Sequence, residues 1–117
     1  MKNYPEHLSH IQESMGTLGR EIPETLGAFK GLHVAAAGDG VLTAEFKELM
    51  ALAIAVTVRC DGCIAFHVHD ALKAGATREE IVETLGVAIL MGGGPALMYA
   101  VEALDAVDQF EAEMTPA

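Results

Sequence analysis

The sequence is poor in residues on which several classes of protein depend. It contains no tryptophan, and two tyrosines and four phenylalanines make up an aromatic share of only 5%. Lysine and arginine number 7 against 17 aspartates and glutamates, which gives a formal net charge of -10. A phosphate backbone binds basic surfaces, so this charge balance excludes nucleic acid as an expected partner.

Long hydrophobic runs are also missing. The longest run, residues 49–58, is interrupted at Thr57 and is much shorter than the roughly 20 residues that a membrane-spanning helix needs. The first ten residues, MKNYPEHLSH, contain no apolar segment of the kind that an export signal requires. We therefore expect a cytoplasmic protein that has no membrane partner.

The scarcity of aromatic residues and the lack of strict apolar–polar alternation favour helices over strands. A length of 117 residues suits a single domain, residues 1–117, and a hydrophobic share of 51% excludes disorder for most of it. So short a chain buries a limited part of its surface, and the remaining apolar surface predicts a homo-oligomer. The expected fold is all-α, a bundle of about six helices.

Apolar spacing predicts the first three helices. One stripe follows Pro5 and a second follows Pro23, and Thr43 can cap a third helix that runs to about Val58. The first stripe consists of Leu8, Ile11, Met15 and Leu18, and the second of Ile22, Leu26, Phe29 and His33.

Glycine and capping residues mark the other three helices. A fourth helix ends at Gly75, because glycine suits the left-handed position after a helix. Thr77 and Glu80 have the spacing of a capping box that opens the fifth. Three consecutive glycines, residues 92–94, then break the chain, and Pro95 lies where the first residue of a sixth helix belongs.

The two cysteines of the chain, Cys60 and Cys63, form a CxxC pair. Residues three apart lie on the same side of a helical turn, so the two sulfurs can form a disulfide reversibly. A helix N-terminus favours thiolate over thiol, and the thiolate is the nucleophile. In a reducing compartment such a pair is redox-active or binds a metal more often than it serves as a structural staple.

His67 and Glu48 are the candidate proton-transfer groups. His67 follows Cys63 by four residues, and helical side chains lean toward the N-terminus, so its ring can lie over the Cys63 sulfur. If the third and fourth helices form an antiparallel hairpin, Glu48 lies near His67. A carboxylate beside an imidazole can orient the ring or exchange a proton with it.

Zinc binding is an alternative use of the same residues. Two thiolates and an imidazole supply three ligands, and Glu48 or another carboxylate could complete a tetrahedron. Structural zinc sites usually have four Cys or His ligands in well separated pairs, which favours the redox interpretation. Asp70 lies on the helical stripe of His67, but no role is assigned to it.

The spacing of Glu48, Cys60, Cys63 and His67 resembles the signature of the AhpD-like alkylhydroperoxidases, which belong to the carboxymuconolactone decarboxylase family. The resemblance extends through residues 47–85 and the glycine-rich break before Pro95, about half of the chain. The core motif region is residues 43–110. The first forty residues do not contribute to the resemblance.

This resemblance implies an oligomeric helical bundle, commonly a trimer or hexamer, with antioxidant peroxidase activity that needs no cofactor. It implies that Cys63 is the peroxidatic thiolate, Cys60 the resolving thiol, and His67 with Glu48 the proton relay. The implied substrate is a hydroperoxide or a disulfide, and the implied partner is a dithiol electron-donor protein. Spacing alone leaves open which sulfur attacks first.

Two further functions remain as alternatives. One is the decarboxylase branch of the same family, which acts on a lactone carboxylic acid without a CxxC pair, and the other is the zinc-binding or structural module.

The chain also departs from the best-known alkylhydroperoxidases at Gly62, where those proteins have a histidine immediately before the second cysteine.

Overall fold

A computed structural model describes residues 1–115 and contains five helices and no strand in that range. The helices are α1 (Tyr4–Glu21), α2 (Pro23–Ala37), α3 (Ala44–Thr57), α4 (Asp61–Lys73) and α5 (Arg78–Met114). The predicted all-α class is confirmed. The predicted count of six helices is not confirmed, because the helical segments before and after Gly93 join across a kink into one helix that contains Pro95.

The triple glycine nevertheless changes the direction of the chain. Gly93 has φ 71° and ψ -151°, a non-helical conformation that kinks α5 between its two halves. This region of backbone space is accessible essentially only to glycine. The predicted helix break is thus present as a kink within one helix.

Local capping signals fix the helix ends as predicted. The Thr43 side chain accepts the N–H of Phe46 at the start of α3. Thr77 and Glu80 form the expected capping box at the start of α5, and Gly75 has φ 101° after α4. Each such cap is worth about 1 kcal/mol, and together they set the length of the loops between α3, α4 and α5.

The core lies between α3, α4 and α5, which pack on one another. Its largest fully buried side chains include Leu52 of α3, Ile64 of α4, and Ile81 and Phe110 of α5. Helix α1 packs on α4 and α5 through its first two turns, where Tyr4 is buried. The α3–α4 hairpin is therefore the centre of the molecule.

The apolar stripes of α1 and α2 are mostly uncovered in the single chain. In α1 only Leu8 of the predicted stripe is buried, and Leu18 is exposed. Helix α2 has no buried residue, and Phe29 is 62% exposed. Periodicity located the helices correctly, but it did not show whether their apolar faces meet the core of the same chain.

Helix α5 is long and apolar enough to cross a membrane by length and composition. Nine of its residues are nonetheless buried against the rest of the protein, and Gly93 kinks it. These buried residues lie on both sides of the kink and contribute to the hydrophobic core.

Substituting Gly93 with alanine is expected to destabilise the fold by about 1–3 kcal/mol, because alanine is strained in this conformation. Gly86 is the matched control: it lies in the same helix, and a Cβ there meets no atom within 4 Å. We expect Gly86→Ala to be neutral or stabilising, since alanine is the better helix former. Denaturant unfolding of both variants measures the difference, and equal stabilities would contradict the assigned role of Gly93.

Candidate active site

A short loop from α3 to α4 places the first cysteine. Arg59 has φ 61°, and among residues 1–115 it is the single non-glycine residue with a positive φ. The backbone N–H of Cys60 donates to the carbonyl of Ala55 at 3.1 Å, which ties the cysteine to the end of α3. A left-handed residue that is not glycine costs about 1 kcal/mol, so this turn holds local strain directly before Cys60.

The two cysteines lie at the N-terminus of α4 and form a disulfide. Their Cα atoms are 5.2 Å apart, which is an ordinary separation for a disulfide. Cys60 is the N-cap residue, and its Sγ accepts the N–H of Cys63 at 3.2 Å. The two cysteines are therefore close enough to form the predicted disulfide. The N–H of Cys63 at the start of α4 can donate to a thiolate on Cys60.

Glu48 and His67 meet across the α3–α4 hairpin. The distance between His67 Nδ1 and Glu48 Oε2 is 2.7 Å. Glu48 is only 7% exposed, and it is the one buried charged residue of the described chain, residues 1–115. A buried carboxylate needs such a partner, and the predicted proximity of these two residues is confirmed.

This hydrogen bond also selects the form of the imidazole. The carboxylate of Glu48 can only accept, so Nδ1 of His67 carries the hydrogen that is donated. In the neutral ring Nε2 then holds the lone pair and can take up a proton. Glu48 therefore orients His67 and leaves its second nitrogen competent as a base.

Asp70, to which the sequence assigned no role, lies beside Glu48 and His67. Glu48, His67 and Asp70 offer ligand atoms that all lie within 4.8 Å of one another. Asp70 Oδ1 also lies 2.9 Å from His69 Nδ1. One nitrogen and two carboxylate groups at this spacing suit a divalent cation by chemical type. The helical spacing of His67 and Asp70 was the available signal.

The zinc arrangement considered from sequence differs from this cluster. It requires two thiolates, whereas Cys60 and Cys63 are joined as a disulfide. The cluster of three potential metal ligands in residues 1–115 consists of Glu48, His67 and Asp70 and contains neither cysteine. In the oxidised protein the two sulfurs are bonded to each other, so they do not supply the two thiolates that this zinc arrangement needs.

Helix α1 covers the dipeptide between the cysteines. A Cβ at Gly62 would lie 3.0 Å from Ile11 Cδ1, so α1 packs directly on the position where the best-known alkylhydroperoxidases have histidine. Lys2 Nζ lies 2.8 Å from Asp61 Oδ2. Sequence reasoning missed both contacts, because no local pattern links the N-terminus to residues more than fifty positions away.

Comparisons with known proteins agree with the fold and with the family that the sequence resembles. Residues 23–106 match the Carboxymuconolactone decarboxylase family. An uncharacterized protein of Cupriavidus necator is 46% identical over 105 residues, which cover 90% of this chain and 93% of that protein. An uncharacterized protein of Haemophilus influenzae is 44% identical over 104 residues, covering 89% and 92%.

Two solved structures are similar in fold. The apo form of a carboxymuconolactone decarboxylase family protein from Legionella pneumophila has a TM-score of 0.89 and 46% identity, covering 92% of this chain and 96% of that one. A family protein from Thermotoga maritima, for which a role in the antioxidative response is suggested, has a TM-score of 0.72 and 30% identity, covering 76% and 92%. The chain thus belongs to the carboxymuconolactone decarboxylase family and carries the AhpD-like motif within it.

Proposed function

We propose that this protein is a CxxC-dependent thiol peroxidase or disulfide oxidoreductase of the AhpD type. The observation that carries the proposal is the Cys60–Cys63 disulfide at the start of α4, one helical turn before a histidine that a buried glutamate orients. A sulfur pair, a thiolate-stabilising helix N-terminus and a base are the groups that this chemistry needs.

In the first step, His67 takes the proton of Cys63 and the Cys63 thiolate attacks one peroxide oxygen. A sulfur–oxygen bond forms, the oxygen–oxygen bond breaks, and the departing alkoxide takes up the proton that His67 holds to become an alcohol. Sulfur is oxidised to sulfenic acid and the peroxide is reduced. Glu48 stabilises the imidazolium that forms on His67 in this step.

In the second step, the Cys60 thiol attacks the sulfenic sulfur of Cys63. The disulfide forms and water leaves, which consumes the thiol proton and the sulfenic hydroxyl. The closeness of the two sulfurs makes this step fast and protects Cys63 from irreversible oxidation.

In the third step, an external dithiol reduces the disulfide. Its thiolate attacks Cys63, and Cys60 leaves as a thiolate at the N-cap, where the N–H of Cys63 can stabilise it. The second thiol of the donor then resolves the mixed disulfide, so the donor is oxidised and both cysteines are restored. The proposed donor is a dithiol protein of the cytoplasm, where thiols are kept reduced.

The test is to supply the purified protein with an alkyl hydroperoxide and a dithiol and to measure loss of peroxide. The proposal expects catalytic consumption with one dithiol oxidised per peroxide. Consumption no faster than without protein, together with conversion of a lactone carboxylic acid, would instead favour the decarboxylase branch.

We also propose that the protein is a homo-oligomer, a trimer or hexamer, as the resemblance implies. Helix α2 is apolar yet has no buried residue, and Leu90 and Met91 of α5 are 79% and 75% exposed. Apolar patches of this extent on a soluble domain are typical of interfaces between chains. Light scattering is expected to give a mass of three or six chains, and a monomer at micromolar concentration would contradict the proposal.

A further inference from the structure

Asp61 is the charged residue between the two cysteines, and it forms a salt bridge with Lys2 of the N-terminal segment. Asp61 Oδ2 lies 2.8 Å from Lys2 Nζ, while its Oδ1 is buried and has no hydrogen-bond partner within residues 1–115. The same Lys2 ammonium lies 3.0 Å from Glu102 Oε1 of α5. One cation therefore lies between two carboxylates, directly beside the redox pair.

We propose that Lys2 is a positioning residue that fixes the Asp61 carboxylate and offsets its negative charge beside the Cys60–Cys63 dithiol. This inference rests on the proposed redox function. The family match begins at residue 23, so Lys2 lies outside the matched region. The N-terminal segment thus contributes a positive charge to a site whose other groups lie on α3 and α4.

The physical argument concerns the thiolate of the reduced protein. A negative charge on Asp61 opposes a thiolate on either neighbouring cysteine, and a positive charge on Lys2 favours it. The hydrogen bond to Asp61, and to a smaller extent the one to Glu102, raises the pKa of Lys2 well above its ordinary value. The Lys2 ammonium is therefore charged at neutral pH. Lys2 therefore lowers the cost of forming the nucleophile.

The main chain of this segment is anchored independently of the Lys2 side chain. The N–H of Tyr4 donates to Gln109 Oε1 at 2.7 Å, and Gln109 Nε2 donates to the Lys2 carbonyl at 2.7 Å. The Tyr4 side chain is buried in the core. A substitution of Lys2 is therefore expected to change the charge beside the dithiol and leave α1 in place.

The other charged or titratable groups on the surrounding elements do not change in this comparison. They include Tyr4 on α1, Glu48 on α3, Arg59 in the loop, His67 on α4, and Glu102 and Asp105 on α5. Lys2→Met removes the cation from both Asp61 and Glu102, whereas Asp61→Asn changes the charge of Asp61 alone.

The test is alkylation of the chemically reduced protein by iodoacetamide at pH 7. Lys2→Met is expected to slow alkylation about twofold, and Asp61→Asn to accelerate it about twofold, because a charge at this range changes the thiolate population by a small factor. Changes of opposite sign in the alkylation rate indicate an electrostatic effect, because loosened packing would change the rate of both variants in the same direction. The difference in alkylation rate between the two variants should be smaller in 1 M NaCl, where the Debye length is about 3 Å.

Two control variants complete the design. Lys2→Arg keeps the charge and should have the alkylation rate of the parent protein. Lys73→Met removes an exposed lysine from the last turn of α4, at the end opposite to the cysteines, and should not change that rate. Equilibration with glutathione provides a second readout: Lys2→Met should shift the equilibrium toward the disulfide, and Asp61→Asn toward the dithiol.

The possible failures are distinguishable. A disulfide that neither glutathione nor a dithiol can reduce in the parent protein would overturn the proposed redox function. A reversible pair whose alkylation rate and glutathione equilibrium are the same in the parent protein and in Lys2→Met would overturn the role of Lys2 and leave the redox function intact.

Discussion

Substituting Cys63 with serine is expected to lower hydroperoxide turnover by at least about 10³-fold, because loss of a nucleophile leaves only binding and orientation to act. Cys63 is part of the disulfide and lies one turn before His67. Serine keeps the shape of the side chain, but its hydroxyl does not ionise near neutral pH. The measurement is peroxide consumption in the presence of a dithiol, with steady-state rates of both proteins.

Cys60→Ser is the matched control for this prediction. Without added thiol it should consume one equivalent of peroxide and then stop, because Cys63 can form the sulfenic acid while no neighbouring thiol can close the disulfide. A sulfenic-acid probe should label Cys63 in this variant. The reverse pattern, with Cys60 labelled in Cys63→Ser, would exchange the assigned roles of the two sulfurs.

Both cysteine variants must be compared with reduced parent protein. Closing a four-residue loop by a disulfide stabilises the folded state by about 2 kcal/mol in the chain-entropy view. Oxidised parent protein would therefore unfold at a higher temperature than either variant for a reason unrelated to catalysis. Thermal unfolding under reducing conditions removes this difference.

Glu48→Gln is expected to reduce kcat/KM for hydroperoxide about 10²-fold, the lower range for loss of acid–base assistance. Glu48 Oε2 lies 2.7 Å from His67 Nδ1 and is the group that stabilises the imidazolium in the proposed first step. Glutamine keeps an acceptor but has no charge, and its amide can also donate, which would favour the wrong tautomer of His67.

The control for this substitution is Glu83→Gln, which removes an exposed carboxylate from α5. Its kcat/KM should equal that of the parent protein. Because glutamine keeps the size of the side chain and a carbonyl oxygen that can accept from His67 Nδ1, Glu48→Gln should still fold. A folded Glu48→Gln with kcat/KM within twofold of the parent would exclude Glu48 from proton transfer.

Local signals in the sequence account for what could be predicted about the fold. The caps at Thr43 and Thr77 and the left-handed Gly75 depend on residues within four positions, and all three are present. The Glu48–His67 contact was predicted because a short loop forces two helices into a hairpin, which fixes which residues face each other. These features follow from chain geometry over short distances.

The features that were missed depend on contacts between distant parts of the chain. The pairing of Lys2 with Asp61 joins residues 59 positions apart, and no periodicity encodes it. The triple glycine marked a break and Pro95 the start of a further helix, but the sequence could not show that only Gly93 would be non-helical, so that both segments form one kinked helix. Apolar spacing on α2 gave a helix without revealing that its face is uncovered in one chain.

The most direct measurement of the central claim is the fate of the two thiols when reduced protein meets one equivalent of hydroperoxide. The proposed cycle predicts that both thiols disappear together and that the protein loses two hydrogen atoms in mass. Peptide mapping should then place a disulfide between Cys60 and Cys63 within one chain, and a dithiol should restore both thiols. Persistence of both free thiols, or oxygen added to a single cysteine with no disulfide formed, would contradict the account.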